Sequence, residues 1–382
     1  MGGSARVGKL AGIDLFIHWT FPLLLAWIAI SHVMQGDSVG VAVEGVVFVC
    51  LLFACVVLHE LGHALAARRY GVPTRDITLL PIGGVARLER IPEEPRQELV
   101  IAIAGPLVNV VIAAGLFAFL FLASGYTGAL PEELVGVGGN LLVKLMWVNV
   151  ALVVFNMLPA FPMDGGRVLR ALLATRMSYS RATEIAARVG QTMAVGFALL
   201  GLFGNPLLLF IAIFVYLGAG AEAQAAATKS LLRGYTAGDA MMTRFRTFPS
   251  DASLKQLTDE LLAGTQDAFP LVDDGAYRAL VTRASLLAAI AEVGPDARAD
   301  TAIDSSTIRA GRGTSLDKLA DSLSESTSNT AVVLDGEQLI GLVSTENVGE
   351  MLLVRAATSP QRGDSEAAQR VGDRFVKTAA AS

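Results

Sequence analysis

The sequence predicts a polytopic α-helical membrane protein of six transmembrane helices with a small membrane-associated β-hairpin, followed by a soluble α/β unit present in two copies. Three observations carry that prediction. Of the 382 residues, 53% are hydrophobic and only 17% are charged, a balance that soluble chains of this length rarely reach. The apolar residues gather into runs of the ~20 residues that a bilayer crossing requires. After residue 232 the runs stop, and a soluble sequence begins that repeats itself.

The runs lie at 15–34, 41–67, 98–123, 138–158, 183–203 and 206–227. The first follows Arg6 and Lys9, exceeds a signal-peptide core in length and lacks a small-residue cleavage site, so it reads as a retained helix. Gly204-Asn205-Pro206 make a tight turn that sets the last two runs antiparallel. The loop 124–137 holds Glu132 and Glu133 and no Lys or Arg. The loops on the other side carry Arg68, Arg69, Arg75, Arg87, Arg90 and Arg96, then Arg167, Arg170, Arg176, Arg181 and Arg188. By the positive-inside rule these face the cytoplasm, as do Arg6, Lys9, Lys229 and Arg233. An even number of spans independently returns both termini to that side of the cell membrane. The net charge of −5 speaks against a nucleic-acid partner. Cys50 and Cys55, five apart on one helix, stand roughly 8 Å from each other by helical rise, too far for a disulfide.

Between the second and third runs, residues 74–90 (TRDITLLPIGGVARLER) alternate β-favouring positions around Pro81 and Gly83-Gly84. The segment is too short and too interrupted to span. It reads as a hairpin against the membrane face, its edge either a pairing surface for an extended substrate or an ordinary connector.

Residues 269–287 align with 331–349 at an offset of 62, so that Leu271-Val272-Asp273 falls on Val333-Leu334-Asp335 and Leu280-Val281-Thr282 on Leu342-Val343-Ser344. Each copy has a strand, an acidic turn, a second strand and a helix, with another helix before it. The repeat, opened by Thr236–Thr243, resembles a CBS-domain pair. The resemblance implies domains at 236–293 and 300–357, contact between two chains through them as a homodimer, and adenine nucleotide in the cleft. Ser344 and Asn347 match the nucleotide-contacting positions in the second copy. The first copy has Thr282 but Ser285 where an acidic residue is usual, and Ala279 in place of glycine, so the pair reads either as holding one nucleotide site rather than two or as a dimerisation module without ligand. Residues 358–382 read as a disordered tail.

The chemistry sits in the second run, where His59-Glu60-Leu61-Gly62-His63 is an H-E-x-x-H sequence. On a helix the two imidazoles lie one turn apart on one face and can hold one zinc ion, with Glu60 beside them to take a proton from water. A carboxylate and two imidazoles within hydrocarbon are costly unless function or partners retain them. Catalytic zinc normally takes three protein ligands. The fourth run breaks at Asn156-Met157-Leu158-Pro159-Ala160-Phe161-Pro162-Met163-Asp164-Gly165-Gly166, and broken backbone at membrane depth is tolerated where it lines a cavity. Asp164 is the natural third ligand; Cys55, four residues before His59, is the rival. Asn109, a lone amide in the third run, is either a donor to the oxyanion of peptide hydrolysis or an interhelical hydrogen-bond former, and Asn156 invites the same two readings. His18 beside Trp19 reads as an interfacial anchor, and His32 lies at the far end of the first run.

The paired motifs, H-E-x-x-H in one span and N-x-x-P-x-x-P-x-D-G-G in another, are similar to those of the site-2 protease family of intramembrane zinc metalloproteases. The resemblance implies one zinc per chain on His59, His63 and Asp164, with Glu60 as catalytic base and Asn109 as a catalytic donor. The protease core would be 1–228, the substrate a membrane protein with a transmembrane segment, such as an anti-sigma factor, and the process regulated intramembrane proteolysis. Two rival classes are a CBS-regulated transporter and an inactive zinc-binding scaffold. Transport calls for a string of intramembrane charges, which spans three, five and six were expected to lack; a scaffold calls for a damaged base or ligand, and none is present.

Overall fold

The computed structural model describes residues 3–81, 83–88, 94–128, 140–326 and 328–358. The chain divides into two compact units, Met1–Gln224 and Ala225–Ser382.

The first unit opens with strands. β1 (Ser4–Leu10) and β2 (Ile13–His18) form an antiparallel hairpin across Ala11-Gly12, both at positive φ. The apolar run at 15–34 was expected to be helical throughout; its first residues are instead strand. Leu15-Phe16-Ile17 are aromatic and branched side chains that suit a pleated surface, and they pair in parallel with β3 (Thr74–Leu80). β4 (Gly83–Leu88) closes an antiparallel hairpin on β3, so the sheet runs β1-β2-β3-β4 with β4 at one edge. The expected hairpin is thus half of a four-stranded sheet.

The helices follow as α1 (Thr20–Met34), α2 (Val39–Arg69), α3 (Pro95–Ser124), α4 (Leu141–Asn156), α5 (Asp164–Ala174), α6 (Tyr179–Phe203) and α7 (Leu207–Leu232). Among the described residues, α2, α3, α6 and α7 are long and apolar enough to cross a membrane. α1 and α4 are apolar but have only 15 and 16 residues. Large apolar side chains such as Leu122, Phe203 and Phe210 point outward, as on a surface facing hydrocarbon.

Two glycine contacts set the geometry that matters for function. A β-carbon on Gly62 of α2 would stand 2.8 Å from the Ala104 carbonyl oxygen of α3, so these backbones touch as small residues allow. The chain then breaks after α4 and turns through a cis Phe161–Pro162 bond into α5. A β-carbon on Gly165 would lie 2.2 Å from the Leu158 carbonyl oxygen, so only glycine lets the turn fold against the start of α5 and bring Asp164 back toward α2.

The second unit contains α8 (Ala237–Ala240), α9 (Leu254–Ala263), β5 (Ala268–Asp273), β6 (Ala276–Thr282), α10 (Arg283–Val293), β7 (Ile308–Gly311), α11 (Leu316–Glu325), β8 (Thr330–Asp335), β9 (Gln338–Ser344) and α12 (Thr345–Thr358). β5 pairs antiparallel with β6 and β8 with β9, and the Ala268↔Thr282 and Thr330↔Ser344 pairs are one offset of 62 apart. The register shift at Leu271/Val272 recurs at Val333/Leu334, so the repeat extends to its irregularity. Ala268 and Leu280 of one copy share a core with Val332 and Leu342 of the other. The sequence expected as a tail lies, past residue 358, outside the described residues, as does most of the 124–137 loop.

Candidate metal centre

α2 brings His59 and His63 to one face, and the turn before α5 brings Asp164 to meet them. The His59 and His63 Nε2 atoms are 3.1 Å apart, and the Asp164 Oδ2 lies 3.2 Å and 3.1 Å from them. All three side chains are buried, and among the described residues they form the one cluster of such groups close enough to share an ion. Two nitrogens and an oxygen bound at the usual ~2.0–2.1 Å around tetrahedral zinc stand about 3.3 Å from one another, so the observed triangle fits zinc.

Hydrogen bonding fixes which ring nitrogens are free. The His63 Nδ1 is 2.7 Å from the Ile101 carbonyl oxygen, which can only accept, so that nitrogen carries the proton and Nε2 presents a lone pair. His59 is set by a longer chain. The Asn149 Nδ2 donates to the Leu145 carbonyl at 2.8 Å, which turns its Oδ1 toward the Asn109 Nδ2 at 3.0 Å. The Asn109 Oδ1 is then left to accept from the His59 Nδ1 at 2.7 Å. Both Nε2 lone pairs and a carboxylate oxygen therefore point into the same space, an arrangement that a cation resolves and that partners of this kind orient in metal sites.

Asn109 thus has both ends of its amide engaged, one with His59 and one with Asn149, and is fully buried. The residue expected as an oxyanion donor or an interhelical hydrogen-bond former thus lies beside the candidate ligand His59. Asn149, equally buried, was missed by the sequence reading, although a lone amide in an apolar helix was the signal that singled out Asn109. The Cys55 thiol takes a 3.4 Å contact from the Asn149 Nδ2 and lies outside the triad. Asn156 ends α4, His18 bonds Thr20 at 2.7 Å and His32 faces Asp37 at 2.9 Å, so none of these joins the centre.

Glu60 is half-buried at the base of the sheet. Gly84 of the edge strand β4 passes directly over it, where a β-carbon would stand 2.9 Å from the Glu60 Cγ. Arg170 of α5, 1% exposed, bridges Glu98 of α3 at 2.6 Å and Glu222 of α7 at 3.0 Å between the rings of Phe161 and Tyr179. The apolar runs at 98–123 and 206–227, expected to lack charge, therefore carry carboxylates gathered around one guanidinium beside the helix bearing Asp164, and the run at 183–203 carries the Glu184–Arg188 pair.

In the second unit, Ser344 and Asn347 face one cleft of about 260 Å³, together with Met242 and Leu342. Their side chains bond each other at 3.0 Å. Asp267, Glu346 and Glu350 also line it, with no Lys or Arg among the described lining. Thr282 of the first copy bonds Asp304 at 3.1 Å, so a carboxylate distant in sequence reaches the place where Ser285 follows it.

Residues 47–138 and 135–197 match the model of peptidase family M50, a stretch holding H-E-x-x-H and Asp164. The chain is also 37% identical over 277 residues to a zinc metalloprotease of Methanocaldococcus jannaschii, covering 72% of this chain and 77% of that one. The chain belongs to peptidase family M50. It is a zinc metalloprotease of the site-2 protease kind, as the paired motifs implied. Among solved structures of the M50 family, the site-2 protease of M. jannaschii is 40% identical and covers 58% of this chain and 95% of its own, with a TM-score of 0.43. The CBS-pair protein CBSX2 of Arabidopsis thaliana in complex with AMP is 26% identical, covering 32% of this chain and 96% of its own, with a TM-score of 0.28.

Proposed function

We propose that this M50 protease binds one zinc per chain on His59, His63 and Asp164 and hydrolyses a peptide bond in or near a transmembrane segment of a membrane protein. The convergence of the three donor atoms 3.1–3.2 Å apart, on helices whose outer faces are apolar, carries this reading. Zinc in such a site supplies Lewis acidity that acidifies water and polarises a carbonyl. Glu60 takes the proton from the attacking water and hands it to the departing amine, so water adds across the C–N bond and the base is regenerated. Asn109 holds His59 in the ligating tautomer. An extended substrate strand added to the free edge of β4 would run past Gly84 and hence past Glu60, which supports the pairing reading of that edge.

In this account α1 and α4 join the four longer helices as spans, giving six, with both termini and the second unit in the cytoplasm. The substrate class is a membrane-tethered protein of the anti-sigma-factor type, cut in regulated intramembrane proteolysis. The second unit is a CBS pair that couples an adenine ligand at the Ser344–Asn347 cleft, and pairing of two chains, to activity. The test compares membranes of cells expressing wild type or Glu60→Gln by proteomics of peptide ends. Fragments ending within transmembrane segments, present with wild type and absent with the variant, support the reading. Identical fragment sets contradict it.

A further inference from the structure

Glu44 lies in the apolar first half of α2 and Lys144 is the one charged side chain of α4, and the hydrolytic centre uses neither. Both line one pocket of about 170 Å³ with Trp27, Ser31, His32 and Phe48, formed by the end of α1, the first part of α2 and the start of α4. Fifteen residues of α2 separate Glu44 from His59, about 22 Å by helical rise, so the pocket is distinct from the metal centre. Its polar wall is built closely. The His32 ring lies on α2 at Gly45, where a β-carbon would meet its Nε2 at 2.9 Å, and its Nδ1 is 2.9 Å from the Asp37 carboxylate. Lys144 is only 4% exposed, and the exposed indole of Trp27 forms an apolar lip.

Charges of opposite sign in the wall of an apolar helix layer are costly unless function or partners retain them. The pocket offers an ammonium, a carboxylate and a hydroxyl within one small volume, beside an apolar exit. A helix about 10 Å across does not fit it, whereas the head of an amphiphile does. Glu44 disfavours a purely anionic head, and Lys144 a purely cationic one. We propose that this pocket binds the headgroup of a zwitterionic phosphoethanolamine lipid, its phosphate toward Lys144, its ammonium toward Glu44 and its chains leaving past Trp27. The proposal does not depend on the proteolytic reading.

The test is native mass spectrometry of the purified full chain, stripped of lipid and then offered phosphatidylethanolamine, phosphatidylglycerol or soluble glycerophosphoethanolamine. Zinc content of each variant reports that the core has folded. Wild type is expected to retain one phosphatidylethanolamine, to hold phosphatidylglycerol at least fivefold more weakly, and to need the acyl chains, so that the soluble head alone does not compete. Lys144→Gln and Glu44→Gln should each weaken retention at least tenfold with zinc unchanged. If either loses zinc, Ser31→Phe decides, since it fills the pocket from a half-buried position and removes no charge; it should also displace the lipid. No retained lipid, equal retention by the variants, equal affinity for phosphatidylglycerol, or a co-purified peptide in place of lipid overturns the proposal.

Discussion

Gly105 and His63 face each other so closely that a β-carbon on Gly105 would stand 2.1 Å from the His63 Nε2. That nitrogen is the donor proposed for the metal, so a single methyl group would occupy the position from which it would reach the ion. Gly105→Ala should therefore lower zinc affinity more than tenfold while leaving helical content by circular dichroism unchanged. Zinc retention against a graded chelator measures it, and an alanine variant that binds zinc like wild type would refute the crowding argument.

The amide chain from Leu145 through Asn149 and Asn109 to His59 makes a second prediction. Removing an outer partner of a metal-bound histidine typically costs 10–100-fold in affinity or activity. Asn109→Leu and Asn149→Leu should each fall in that range for zinc affinity, and Asn109→Asp should lose less than Asn109→Leu, since a carboxylate still accepts from the His59 Nδ1 although it cannot donate to the Asn149 Oδ1. An oxyanion donor would behave otherwise: its loss would lower kcat and leave zinc affinity intact.

Arg170 is expected to hold the fold around the site. Breaking a buried ion pair by removing one partner typically costs about 3–5 kcal/mol, and here a leucine in place of Arg170 would strand Glu98 and Glu222 together. Arg170→Leu should lower the thermal midpoint of the purified chain in detergent by several degrees, and combining it with Glu98→Leu should recover part of the loss. Additive losses in the double variant would mean that the guanidinium and Glu98 are not coupled.

In the second unit, the Asp273 carboxylate accepts from the Ser250 hydroxyl at 2.5 Å and from the Ser250 N–H at 2.9 Å. These bonds favour the charged form and hold the carboxyl below its usual range. The sign follows from linkage: stability from this group is complete above the unfolded value near 3.9 and is lost as pH falls through the lower folded value. Asp273→Asn should speed amide exchange of 248–252, corrected for intrinsic rate, at pH 7, and the difference from wild type should shrink as pH falls from about 4 downward. A difference that grows over that range would contradict the assignment.

Carboxylates in the Ser344–Asn347 cleft bear on its ligand. Asp267, Glu346 and Glu350 all repel a phosphate, each by about 1 kcal/mol at contact distances in water. Glu350→Gln should raise AMP affinity by roughly fivefold in calorimetric titration at low salt, and adenosine affinity should change little. A fall in AMP affinity would show that Glu350 binds the ligand rather than opposing it.

Much of the geometry of the candidate centre was legible because it is written in local spacing. His59 and His63 meet through helical pitch alone, and Asp164 was reachable because two prolines and two glycines mark a broken helix. The CBS-like repeat was legible for a related reason: its offset of 62 survives even at the register shift of each hairpin. What escaped depended on distant partners. Leu15–Ile17 became strand because β3, some sixty residues later, lies beside it. The Asn109 amide donor is engaged by Asn149, and Arg170 left the set of plain loop arginines because Glu98 and Glu222 converge on it. No window of sequence contains those pairings.

The most direct test of the account is zinc per chain, by elemental mass spectrometry, in purified wild type, His59→Ala and Asp164→Asn. About one zinc is expected in wild type and markedly less in both variants, joining α2 and the start of α5 in one centre. A metal-free wild type, or an Asp164→Asn variant that holds zinc as firmly, would contradict it.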